Sequence, residues 1–127
     1  MKVLWITNII FPEVCLVLKM PITVGGGWMY GLANLISEKN DINLAVATIW
    51  NGREFKEIEI NGVHYYLLPV SHMPISYNRK LEPFWKDVVK RFQPDLCHIH
   101  GTEFAHGLAC MRVCPELKFV LSGDIPL

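Results

Sequence analysis

The segment Pro94-Asp95-Leu96-Cys97-His98-Ile99-His100-Gly101 decides the fold. Pro94-Asp95 interrupts whatever precedes it, and Leu96 to His100 is a short, largely apolar run of the kind that forms a strand covered on both faces. Gly101-Thr102 then turns the chain into a helix from about Glu103 to Val113, which must end before Pro115. Leu117 to Leu121 reads as another strand. On the other side of Pro94, the stretch Glu82 to Phe92 places Phe84, Trp85, Val88, Val89 and Phe92 along one stripe of an amphipathic helix. Helix, strand, helix, strand in this order implies an α/β domain with a parallel sheet.

The amino-terminal half extends the pattern. Lys2 to Thr7 opens with Val-Leu-Trp-Ile, a second run suited to a buried parallel strand. Asn8 to Val24 contains Pro12 and Pro21 and reads as a long irregular segment, a type of connection that tends to be functional. Gly25-Gly26-Gly27 leads into a helix from about Trp28 to Lys39, with Trp28, Leu32, Leu35 and Ile36 expected on its inner face. Ile42 to Thr48 is the following strand, and strand, helix, strand gives a right-handed crossover. Phe55 to Ile60 and Val63 to Pro69 flank Asn61-Gly62, the strongest short-range hairpin signal because both turn residues must adopt positive φ. The expected architecture is therefore a Rossmann-like, doubly wound, mainly parallel sheet with an inserted β-hairpin.

Composition narrows the function. At 127 residues the chain is one domain, 51% apolar and 19% charged, with 12 basic residues balancing 12 acidic ones. Neutrality gives no reason to expect nucleic acid as a partner. The apolar start breaks at Thr7-Asn8 without a cleavage site, and no run reaches the roughly 18 apolar residues of a membrane span. A soluble, cytoplasmic protein is expected. Cys15, Cys97, Cys110 and Cys114 lack paired spacing and are expected as reduced core thiols. Although Cys97, His98, His100, His106, Cys110 and Cys114 crowd one region, their faces do not suit a closed tetrahedron, and no metal is expected.

In open α/β sheets ligands bind beyond the carboxyl ends of the strands. Gly25-Gly26-Gly27, His98-Ile99-His100-Gly101 and Ser122-Gly123-Asp124 all fall there. The glycines leave N–H groups free at a helix start, where anions bind, although a bare loop tip is the alternative. They come too far after the first strand for a dinucleotide fingerprint. His98 and His100 share a face if both lie within the strand; if the strand ends near Ile99, His100 rises into the crevice instead. There it hydrogen-bonds a polyhydroxyl substrate or works as an acid or base, whereas His98 reads better as a core histidine. Arg79, Lys80, Lys86, Lys90 and Arg91 make the segment 79–91 locally basic. Peripheral contact with an anionic membrane is one reading of it, a solvated helix face the other.

Taken together, these residues resemble the amino-terminal domain of GT-B glycosyltransferases, specifically the retaining family 4. That family opens with an apolar strand like Lys2–Ile6 and a long proline-containing loop, then presents a Gly-Gly pair at the first helix, here within Gly25–Gly27. Its middle strand commonly reads Pro-Asp, two apolar residues, then His-x-His, matched by Pro94 to His100. The resemblance implies a nucleotide-sugar donor, a glycan or lipid-linked acceptor, and no cofactor. It implies donor phosphate or acceptor contact near Gly25, Gly26 and Gly27, and a catalytic contact of His100 with the donor sugar. His98, Gly101, Glu103 and Asp124 would line the substrate. Many relatives carry a histidine after the last strand, where this chain has Gly123-Asp124.

The resemblance further implies that the nucleotide pocket and paired glutamates lie in a second, carboxyl-terminal domain. The last strand has no following helix, so the chain is expected to continue beyond Leu127 and to be inactive alone. A nucleotide-sugar epimerase of the same architecture and a stand-alone flavodoxin-like binding module are the competing expectations.

Overall fold

The computed structural model describes residues 1–21, 31–33, 35, 36, 38, 39, 41–70, 79–100 and 106–122. Its centre is β1 (Lys2–Ile6), in which Leu4 and Ile6 face one way and Val3 and Trp5 the other, all buried. A strand apolar on both faces has to sit inside a covered sheet, and β1 does. It pairs in parallel with β2 (Asn43–Asn51) on one side and β5 (Leu96–His100) on the other. Beyond β2 lies β4 (Val63–Val70), parallel to it, and then β3 (Lys56–Ile60), antiparallel to β4. Beyond β5 lies β6 (Phe119–Ser122), giving the order β3-β4-β2-β1-β5-β6. The described residues thus form an α/β fold with a six-stranded, mostly parallel mixed sheet, compatible with a Rossmann-like domain.

The hairpin forms as its turn chemistry requires: Asn61 and Gly62 have φ of 52° and 80°. Its second arm continues as the parallel neighbour of β2, so one hairpin widens the sheet by two strands.

One face of the sheet is covered by α2 (Glu82–Phe92) and α3 (His106–Val113). Trp85, Val88 and Phe92 are the buried line of α2, with Phe84 and Val89 at its margins. A 3₁₀ turn (Arg79–Leu81) precedes α2, and Gln93 closes it in the left-handed region before Pro94. Gly107 lets α3 come close to β5, because a Cβ there would stand 2.9 Å from Ile99 Cγ2. The Cys97 and Cys110 thiols meet across this contact. Their hydrogen bond, followed by burial, pushes the Cys110 thiol well up, so it stays protonated and inert. All four cysteines are buried and free.

The opposite face carries α1 (Pro12–Leu18) and the helical residues 31–33, 35 and 36. Here two expectations need correcting. The segment 8–24 is not irregular throughout: Pro12 starts a helix, Glu13 lies in its first turn, and Lys19 ends it with φ 57° while its N–H reaches the Cys15 and Leu16 carbonyls. Seven residues with two valines carry too little periodicity to show in sequence. In the next helical stretch Ala33, not Leu32 and Leu35, faces the core; those leucines are 40% and 62% exposed. Ile36 packs at the core margin, so the inner line runs Ala33–Ile36 at i, i+3 spacing. Trp28 lies outside the described residues.

The amino ends of the strands are latched together. The Lys2 N–H donates to Asp95 Oδ2 at 2.8 Å and the Asp95 N–H to the Lys2 carbonyl at 2.7 Å. The Pro94-Asp95 pair therefore sets the register of β5 against β1, at the edge away from the histidines.

Candidate functional site

β1 is followed in the sheet by β2 on one side and, later in the chain, by β5 on the other. The direction of winding reverses between β1 and β5, which is where an open α/β sheet leaves a crevice at its carboxyl edge. The side chains at that point are Trp5 and Thr7 from β1 and its end, and His98 and His100 from β5.

β5 runs through to His100, so His98 and His100 share a face, as their spacing requires. Their rings stack with centroids 3.8 Å apart and planes 29° apart. Trp5 packs against both, 4.4 Å from His100 in a tilted arrangement and 6.3 Å from His98 edge-on. Cys97 and Ile99 point to the opposite face, into the core under α3. Burial lowers the pKa of His98. Burial, and then the His98 charge, push His100 down to about 4. Both imidazoles are neutral at pH 7.

That electrostatic state separates the two roles expected of His100. A general acid or base works best with a pKa near the operating pH. His100 lies well below it, so it is better suited to hydrogen bonding with a neutral substrate group than to carrying a proton. His98 is not a plain core residue either. It is half-buried, and its Nε2 lies 2.8 Å from Ser122 Oγ on β6.

The register reveals a larger pattern that sequence reasoning missed. Ile6 pairs with Ala47 and with Ile99, so Thr7 falls one step further, level with Thr48 and His100. His100 in turn pairs with Ser122. By strand alternation Thr48, Thr7, His100 and Ser122 form one row across the carboxyl ends of β2, β1, β5 and β6, on the face that carries Trp5. Thr7, Thr48 and His100 are the buried polar residues among those described, and all of them are in this row. Thr7 Oγ1 donates to the Ile9 carbonyl at 2.9 Å. Thr48 Oγ1 has no hydrogen-bond partner among the described residues. The available signal was positional: Thr7 follows one apolar strand and Thr48 lies within another, toward the same sheet edge as His100.

Of the other expected site residues, Gly25, Gly26, Gly27, Gly101, Glu103 and Asp124 lie outside the described residues. Among the described residues no group of three or more His, Cys, Asp or Glu is placed to hold a metal ion. No helix among them is long and apolar enough to cross a membrane. In the basic segment, Arg91 is engaged by Asp87 and Glu57, each at 3.1 Å, and lies over the Phe55 ring. Its charge is thus met within the fold. Compared with models of known protein families and with curated protein sequences, the chain matches none.

Proposed function

We propose that this chain is the acceptor-side, Rossmann-like domain of a GT-B glycosyltransferase of the retaining family 4 type. It would move a sugar from a nucleotide-sugar donor to a glycan or lipid-linked acceptor, with no metal or other cofactor. The observation that carries the reading is the row Thr48–Thr7–His100–Ser122 at the switch point of the sheet, beside a neutral, stacked histidine pair. Neutral hydroxyls and imidazoles both donate and accept hydrogen bonds, the chemistry that recognises a polyhydroxyl ring. The His-x-His strand after Pro-Asp and the Gly-Gly pair before a helix support the same assignment by resemblance.

In this reading His100 orients the donor sugar near the reacting carbon, and the N–H groups of Gly25–Gly27 approach the diphosphate. A second α/β domain supplies the nucleotide pocket and the paired glutamates. Transfer takes place in the cytoplasm, with the 79–91 segment as a solvated helix face and peripheral membrane contact through it as the alternative. The test is turnover by the protein encoded by the full parent gene. With UDP- and GDP-hexoses and an acceptor extract, it should release nucleoside diphosphate, and His100→Ala should lower that rate by about 10- to 100-fold. No release from any donor, or an unaffected His100→Ala rate, contradicts the proposal.

A further inference from the structure

Among the members of the polar row, Ser122 differs from the rest. Thr7, Thr48 and His100 are buried, whereas Ser122 is exposed at the carboxyl end of β6. Sheet register sets Ser122 opposite His100 and Val120 opposite His98. The Ser122 hydroxyl nevertheless bonds diagonally, to His98 Nε2 at 2.8 Å. A serine hydroxyl on an exposed strand end would otherwise sample three rotamers. The His98 ring that holds it is itself fixed, stacked on His100 and edge-on to Trp5.

We infer that Ser122 is a ligand-contacting hydroxyl of this crevice, positioned by His98 acting as the Nδ1–H tautomer, and that it accepts a hydrogen bond from a hydroxyl group of a neutral sugar. The inference rests on the sugar-transfer reading above and adds a residue and a direction of hydrogen bonding to it. With Nε2 unprotonated, His98 accepts a hydrogen bond from the Ser122 O–H, and Ser122 Oγ keeps its lone pairs for the ligand. A sugar hydroxyl can donate to it. A sulfate, fully ionised at this pH and only an acceptor, cannot.

Protonated His98 has no acceptor nitrogen, so acid reverses the bond and turns the Ser122 proton outward. Among the described groups in contact with the His98 ring, His100 is titratable, while Trp5 and Ser122 carry no charge. Burial lowers the His98 pKa and keeps the ring neutral at pH 7.

The experiment is ring and amide nuclear magnetic resonance on the protein encoded by the full parent gene. It compares the wild type with Ser122→Ala, Ser122→Thr and His98→Phe, each titrated with methyl α-glucoside, methyl α-mannoside and inorganic sulfate. The expected results are an unprotonated His98 Nε2 at pH 7 and glycoside-induced shifts at Ser122. Glycoside affinity should fall by about 3- to 10-fold in Ser122→Ala and in His98→Phe, and no further in the double variant. Ser122→Thr should retain wild-type affinity within about twofold, and the wild type should lose affinity as His98 protonates.

A protonated Nε2 at pH 7, sulfate shifts at Ser122, or glycoside binding unchanged in Ser122→Ala overturns the inference while leaving sugar binding intact. If neither glycoside shifts any residue of the row in the wild type, the sugar reading fails, and the Ser122 contact fails with it.

Discussion

The two faces of the sheet are built to different rules. Under α2 and α3 the core runs from Leu4 and Ile6 through Tyr66, Leu68, Trp85 and Val88 to Ile99, and aliphatic and aromatic side chains continue to the carboxyl edge. On the other face Val3, Trp5, Leu44, Val46 and Tyr65 make an equally apolar floor, but toward the carboxyl edge it carries Thr48, Thr7 and His100 in the row between Leu67 and Ser122. Burying a polar group costs free energy unless it is hydrogen-bonded, so a polar layer at one end of one face contributes little to folding. The contrast separates a face that stays apolar to its carboxyl edge from a face that carries a polar row there.

The largest expected effect tests the first face. Trp85 is fully buried between the sheet and α2. Trp85→Ala should destabilise the domain by about 3–5 kcal/mol in urea denaturation. A loss below about 1 kcal/mol would show that this face does not carry the core.

Acid should act through the second face. His100 has a folded pKa of about 4 against the ordinary value of 6.5, and that of His98 is also lowered. Protons therefore bind the unfolded chain more readily. The stability this confers is complete above about pH 6.5 and is lost as pH falls toward 4, with His100 accounting for about 2–3 kcal/mol at pH 4.5. His100→Asn should flatten the stability profile across that window; an unchanged slope would contradict the burial of a neutral His100.

A smaller change should have the opposite sign. Thr48 buries a hydroxyl that has no partner among the described residues. Thr48→Val should raise stability by about 1 kcal/mol while weakening any ligand that uses the row. A destabilised Thr48→Val would mean that the hydroxyl is satisfied in the folded chain. Smallest of all is Val120→Thr on the outer strand. Val120 is 46% exposed, so the change should stay within about 0.5 kcal/mol.

The apolar face was the more legible of the two in sequence. The helix over Glu82–Phe92 has a full stripe of large side chains and a proline after its end, and it spans the residues its periodicity predicts. The Asn61-Gly62 hairpin was equally plain, because its turn type admits few residues. On the other face, α1 is too short for periodicity to show, and the helix after it turns on Ala33, a residue too small to mark a stripe. The site divides in the same way. His98 and His100 stand out by residue type, and two-residue spacing places them together. Thr7 and Thr48 are ordinary strand residues whose significance comes from register, which is known only once β1, β2 and β5 are aligned.

The most direct test of the division between the faces is amide chemical-shift mapping of the protein encoded by the full parent gene, in which the proposed second domain supplies the nucleotide pocket, with a panel of UDP- and GDP-hexoses. The account predicts that shifts gather at Thr7, Thr48, His98, His100 and Ser122 and leave Trp85, Val88 and Cys110 unmoved. Shifts centred on α2 and α3, or none with any member of the panel, would contradict it.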